Sequence, residues 1–274
     1  FNHFDRNKFY QAAFASLGPD LRLDAGFEPR VDLRAGSAGA GYFWWAKPNQ
    51  WYSRLSAETY YERVEDFGGQ LTDEGLDLYF SYQGPLQSSA SLTIAKNREF
   101  FAGKMFEPDR INWGFGVRPS GDLALTISGS HGGDIDYANG RDADRFLLGA
   151  LFEYSIGRHF SGNLRHNIQK LDVAGGELFT ANLTQARLVY NFNVRMFVRA
   201  IVQYTDIQRN PQRYEFEIGP ESQRLFSQFL FSYKLNPQTV ILAGYSDNYF
   251  GDEQIDVTQA DRTFFLKLGY AWLF

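Results

Sequence analysis

Thr263-Phe264-Phe265-Leu266-Lys267-Leu268-Gly269-Tyr270-Ala271-Trp272-Leu273-Phe274 carries the alternation that decides the fold. Successive side chains of a strand point to opposite faces. Phe264, Leu266, Leu268, Tyr270, Trp272 and Phe274 therefore share one face, and Lys267, Gly269 and Ala271 the other, with Phe265 and Leu273 as exceptions. A run with two such different faces reports two different surroundings, one apolar and one polar.

The same period recurs upstream. Phe146, Leu148, Ala150, Phe152, Tyr154 and Ile156 alternate with Arg145, Gly149, Glu153 and Ser155. Leu164 and Ile168 alternate with Asn163, Arg165 and Asn167, and Ala186, Leu188, Tyr190 and Phe192 with Gln185, Arg187 and Asn191. Val198, Ala200, Val202 and Tyr204 alternate with Arg199, Gln203 and Thr205. Ile111, Trp113, Phe115 and Val117 follow the rule, as do Leu123, Leu125 and Ile127, and Leu76, Leu78, Phe80 and Tyr82 around Asp77. Residues 6–45 alternate poorly. The polar face is mostly Ser, Thr, Asn, Gln, Gly and isolated charges, which suits a confined hydrated interior. A soluble β-sandwich is the competing reading, but its wet face usually carries many Lys and Glu.

Composition agrees. The mean hydropathy of -0.37 is ordinary, and no run of 18 apolar residues exists to form a transmembrane helix. Yet the chain has 26 Phe, 16 Tyr and 5 Trp. A barrel in lipid turns such residues outward and keeps its polar ones inside. With no cysteine, disulfides, thiolate metal sites and cysteine nucleophiles are excluded. A net charge of -5 argues against a nucleic-acid surface.

Connections alternate between short and long. The short ones fall near residues 46–50, 83–85, 118–121, 157–158, 191–193 and 236–237. The long ones fall near 17–31, 63–70, 97–109, 131–143, 171–178, 207–221 and 247–260. Outer-membrane barrels pair short periplasmic turns with long external loops. The expectation is one all-β domain over residues 1–274, a transmembrane antiparallel up-and-down β-barrel of about 14 strands. Both chain ends then lie in the periplasm. Trp44, Trp45 and Trp51, around the Lys47-Pro48-Asn49 turn, read as part of an interfacial aromatic girdle. Leu268, Tyr270, Trp272 and Phe274 read as an outer-membrane assembly signal, an aromatic edge strand that insertion machinery captures by pairing. The chain, starting without Met, reads as the end of a longer protein.

Several stretches resemble one family. They are Gly26-Phe27-Glu28-Pro29-Arg30-Val31-Asp32, Gly84-Pro85-Leu86-Gln87-Ser88-Ser89, and Leu178-Phe179-Thr180-Ala181-Asn182-Leu183-Thr184. Gln203-Tyr204-Thr205-Asp206-Ile207, Tyr233 to Val240, Gly244 to Tyr249, Asp261 to Phe265, and Tyr270-Ala271-Trp272 extend the match. The chain resembles the C-terminal membrane domain of large Gram-negative envelope proteins that begin with a family-nine carbohydrate-binding-like β-sandwich. The resemblance implies a signal peptide and a periplasmic sugar-binding-like module upstream. Some members carry a generic hydrolase label, with no catalytic motif to transfer to these residues.

The chemistry-bearing candidates lie on the polar register. Arg145, Glu153, Arg165, Arg187, Arg199, Lys234 and Lys267 fall there, with Arg54, Glu58 and Asp77 in the first third. Rings of such charges select permeating solutes by sign, or pair across the interior and fill it. His159, Ser161 and Asn163 are spaced two apart, as residues sharing a strand face are, and a Ser nucleophile needs a nearby base. The acidic stretch His131 to Asp144 offers oxygen ligands but lacks the spacing of a calcium loop, and Asp247 to Asp256 is a weaker copy. Tyr137, Tyr249 and Phe250 read as loop packing or sugar stacking. No cofactor, metal or nucleic-acid partner is expected; outer-membrane lipid, the barrel assembly machinery and polar solutes or saccharides are. The leading reading is porin-like passage of polar solutes or anchoring of the upstream module. A plugged anchor and an outer-membrane lipid or ester hydrolase are the alternatives.

Overall fold

The computed structural model describes residues 1–22, 30–236 and 238–271. In chain order the strands are β1 (Asn2–Phe4), β2 (Lys8–Leu17), β3 (Leu33–Trp45), β4 (Arg54–Glu65), β5 (Leu71–Gly84), β6 (Ser88–Phe101), β7 (Lys104–Phe106) and β8 (Arg110–Ser120). They continue as β9 (Leu123–Asp136), β10 (Arg141–Ile156), β11 (Phe160–Val173), β12 (Gly176–Asn193), β13 (Met196–Arg209), β14 (Glu221–Asn236), β15 (Thr239–Asp252) and β16 (Thr258–Tyr270). β1 and β7 have 3 residues each. The other fourteen have ten or more, so the sheet holds 16 strands where about 14 were expected, the difference being the two three-residue strands. Short 3-10 turns at Pro85–Gln87 and Pro211–Arg213 are the only helical pieces among the described residues.

The strands join in chain order into one sheet, with β7 set aside as a partner of β6 alone. Every pairing with a defined register is antiparallel, for example Arg54 with Gln83 and Tyr245 with Phe264. The fold class is all-β, antiparallel and up-and-down, the class of transmembrane β-barrels.

Two compact units divide the chain, with the boundary crossing β8, β9 and β10. The first holds residues 1–115 and 128–145. On its apolar face Tyr61, Thr59 and Ala57 of β4 oppose Leu76, Leu78 and Phe80 of β5. These in turn oppose Lys96, Ile94 and Leu92 of β6. Leu76, Leu78, Phe80, Leu92, Ile94, Ile111, Trp113 and Phe115 are all exposed. The second unit holds residues 116–127 and 146–274. There Leu164, Leu188, Tyr190, Val202, Phe229, Phe231, Phe264, Leu266 and Leu268 form the corresponding exposed stripe.

Burial is thus inverted relative to a water-soluble fold. Among the described residues only Phe106 and Leu178 are large side chains buried to within 2 %. Leaving one large apolar side chain in water costs roughly 1.5–3 kcal/mol relative to an apolar medium, so stripes of this extent require lipid rather than water. The competing soluble sandwich fails here: Leu268 and Tyr270, which would pack into its core, are 68% and 56% exposed.

At the short-turn end of the first unit Tyr42 meets Trp44 at 4.9 Å, and Trp51 stacks on Tyr82 at 5.4 Å. Trp45 departs from the expected girdle. One residue beyond Trp44, it opposes Arg54 on the polar side, and its indole N–H donates to the Arg6 carbonyl at 2.7 Å. In the second unit Tyr190 and Phe192 meet at 5.0 Å near the turn that follows β12.

Two of the expected long connections are short. β9 runs to Asp136 and β10 starts at Arg141, so residues 131–143 are mostly strand. β11 and β12 are separated only by Ala174 and Gly175. Polar residues at the ends of long hairpins look like loop to a hydropathy pattern, but their backbone stays paired.

Candidate functional site: the polar face

In the first unit, Arg54, Glu58 and Asp77 lie opposite Gln83, Tyr79 and Tyr60, on the register away from Leu76, Leu78 and Phe80. Tyr60 donates its phenol proton to Glu58 at 2.6 Å. Arg54 rests near the rings of Phe43 and Trp45, at 5.7 and 5.9 Å. A cavity of about 400 Å³ is bordered by Glu62, Asp73, Asp77, Glu99 and Arg110, among others. Beyond it, Arg145 meets Asp134 at 3.1 Å, with Arg110 at 3.9 Å on the same carboxylate. Arg141 and Asn139 hold Asp136 at 2.9 and 2.6 Å. The acidic stretch considered for calcium is therefore occupied by guanidinium and amide partners. Among the described residues no cluster of three metal-ligating groups exists. Tyr137, in the reversal after β9, donates to Glu99 at 2.9 Å. Burial and that carboxylate push its phenol up to about 12.

The second unit has a different polar face. Its register is read in rows across β11 to β14. Arg165 opposes Gln185, which opposes Gln203. One row toward the short turns, Asn163 opposes Arg187, then Ile201, then Gln228. In the next row Ser161 opposes Val189, then Arg199, then Leu230. Lys267 opposes Leu242, and Lys234 opposes Val240. Arg224, which the sequence reading passed over, opposes Thr205 on the same face. Counting back by twos from Phe229, Phe231 and Tyr233 passes through Leu225 and Gln223, so Arg224 falls on the other, polar face. Arg118, also passed over, holds Glu153 at 3.6 Å.

Arg199 donates to Gln228 at 2.9 Å, while its Nε is buried without an acceptor. Among the described residues, Arg165, Arg187, Arg199, Arg224, Lys234 and Lys267 have no carboxylate within 4.0 Å. Elsewhere in this unit Lys170 pairs with Glu177 at 3.3 Å and Arg262 with Asp247 at 3.4 Å.

The geometry does not assemble a catalytic triad. Ser161 and Asn163 border a cavity of about 200 Å³ with Arg118, Glu153 and Arg187, and His159 is not part of its wall. The His159 Nδ1 lies 2.6 Å from the Asn191 carbonyl, and its ring stacks on Tyr190 at 6.1 Å. His159 lies in the turn before β11, its carbonyl accepting from the Asn191 N–H at 2.7 Å, and its ring is engaged with Asn191 and Tyr190 rather than with Ser161. His166 sits on the apolar register, bonded to the Thr184 hydroxyl at 2.8 Å.

Leu268 and Tyr270 stand on the apolar face of β16, opposite Ile241 and Thr239. Trp272 and Phe274, the remainder of the expected assembly signal, lie outside the described residues, as does Leu273.

No family model matches the chain, and no curated protein matches it. Solved structures similar to it include outer-membrane expressed OmpT of Vibrio cholerae, at 12% identity and a TM-score of 0.41, covering 99% of this chain and 100% of that one. The trimer form of in-vitro folded OmpT from the same organism has 11% identity and a TM-score of 0.42, covering 97% of each chain.

Proposed function

We propose that this chain is an outer-membrane β-barrel through which polar solutes pass in the manner of a porin. The observation that carries the reading is the back-to-back arrangement of the two faces in the second unit. One face presents exposed Leu, Phe and Tyr, and the other presents Arg165, Arg187, Arg199, Arg224, Lys234 and Lys267, with no carboxylate partner among the described residues. Cationic side chains left without counter-charges need water, and a hydrated interior supplies it. An interior closed by ion pairing would instead bring carboxylates within 4.0 Å of Arg165, Arg187 and Arg199, and among the described residues none lies that close.

In this reading outer-membrane lipid covers the apolar stripes, and the assembly machinery engages β16. The first long strand begins at the short-turn end of its unit, where Lys8 opposes Tyr42. The last ends at the short-turn end of its own, where Tyr270 opposes Thr239. That supports periplasmic termini, the side on which an upstream carbohydrate-binding-like module of the kind the resemblance implies would be anchored by the barrel. The test is ion conductance of refolded protein in planar bilayers. Stepwise channel currents are expected; properly folded protein with no current overturns the pore.

A further inference from the structure

Resting on the pore reading, and adding to it the sign and chemistry of the cargo, we infer that the polar face of the second unit is a stepped path for small oxyanions, solutes bearing a carboxylate or a phosphate. Arg165, Arg187 and Arg199 form a diagonal. Each lies one strand over and two residues nearer the short turns than the last, as the rows of β11, β12 and β13 require. With strands about 4.8 Å apart and a rise of about 3.4 Å per residue, neighbouring steps are roughly 8 Å apart at Cα. One solute leaving the first guanidinium is then within reach of the next.

Three features favour an oxyanion. The forked guanidinium matches the two oxygens of a carboxylate or phosphate, which an ammonium does not. The charges are not cancelled: Glu153 is held by Arg118, and Asp261 accepts from Asn248 at 2.8 Å. The side chains that flank the steps are amides, with Gln185 donating to Gln203 at 2.8 Å and Gln228 holding Arg199. Amides orient a guanidinium without neutralising it. Arg224 stands above the diagonal toward the loops, and Lys267 and Lys234 below it toward the turns. Several weak sites in series, rather than one tight site, are what conduction requires.

The experiment is reversal-potential measurement in planar bilayers under a potassium chloride gradient, followed by addition of inorganic phosphate or of succinate. A several-fold preference for chloride over potassium is expected, with chloride current reduced by the oxyanions. Reduction by phosphate alone, by succinate alone, or by both identifies which group the path accepts. Reduction by neither overturns the inference. Replacing all three, as Arg165→Gln, Arg187→Gln and Arg199→Gln, is expected to abolish the preference, while Lys170→Gln, on the apolar register, leaves it intact. If the triple variant does not fold, Arg187→Gln alone is expected to lower the preference, and the phosphate and succinate arms need no variant. Conductance without anion preference, or a preference that survives the replacements, overturns the oxyanion path and leaves the pore standing. Absence of conductance removes both.

Discussion

The ring of Phe265 lies in the space that a side chain on Gly244 would fill, the two residues being directly opposed on β16 and β15. Phe265 breaks the alternation of the last strand because this gap on the polar face accepts an aromatic ring. Gly244→Val is expected to push the ring out, destabilising the protein by about 1–3 kcal/mol, the usual range for overpacking. Urea unfolding in lipid vesicles measures it; an unchanged midpoint would contradict the packing.

Leu147 and Leu148 are adjacent on β10 but face opposite ways, Leu148 in register with Phe146 and Phe152. Leu148→Arg is expected to cost about 1–2 kcal/mol, between the about 2–4 kcal/mol of a cation at mid-depth and the near-zero cost at the interface, because Leu148 lies two residues inside the end of the stripe. Leu147→Arg, on the polar side, is expected to cost far less. Comparing folding yield and stability of the two in vesicles checks the assignment of faces, and equal losses would refute it.

Arg145 and Asp134 pair at 3.1 Å on the polar face between β9 and β10, with side chains 23% and 12% exposed. Removing the cation leaves the carboxylate with the Ile135 N–H at 3.0 Å and Arg110 at 3.9 Å. Arg145→Ala is expected to destabilise by about 1–3 kcal/mol, the cost of a poorly satisfied polar group. Adding Asp134→Asn should return part of that loss, which a double-mutant cycle reads directly.

Tyr137 titrates far from its ordinary value of 10.0, pushed up to about 12 by burial and by Glu99. A group whose folded value is raised stabilises the fold fully below its unfolded value and loses that contribution as pH climbs through the folded one. The contribution of Tyr137 is therefore complete below pH 10 and disappears toward pH 12. The ultraviolet ionisation difference between the wild type and Tyr137→Phe is the measurement. A component at the ordinary phenol value would argue against the contact.

What the sequence made legible was the period. Wherever large apolar residues alternated with polar ones, as from Phe146 to Ile156, strand and face both followed. β2 and β3 were harder. Ala12, Ala13, Ala15, Ala35, Gly36, Ala38, Gly39, Ala40 and Gly41 put small side chains on both faces, so hydropathy carries no alternation there. Trp45 was misplaced because a cluster of three tryptophans suggested a common girdle, whereas adjacent residues on β3 point apart. The polar cations were visible one at a time, but their diagonal was not. It depends on the register between strands, which is set by pairing across hairpins rather than by the pattern within any one strand.

The apolar stripe of β10 runs from Phe146 to Ile156. Ten residue steps of about 3.4 Å give roughly 34 Å along the strand, and a strand inclination of about 35–45° leaves a height of some 24–28 Å. That falls short of an average hydrocarbon layer of about 30 Å. Bilayers with shorter acyl chains match it, while thicker ones must thin around it at an energetic cost. Mismatch alone would then bias where in a two-membrane envelope such a chain comes to rest.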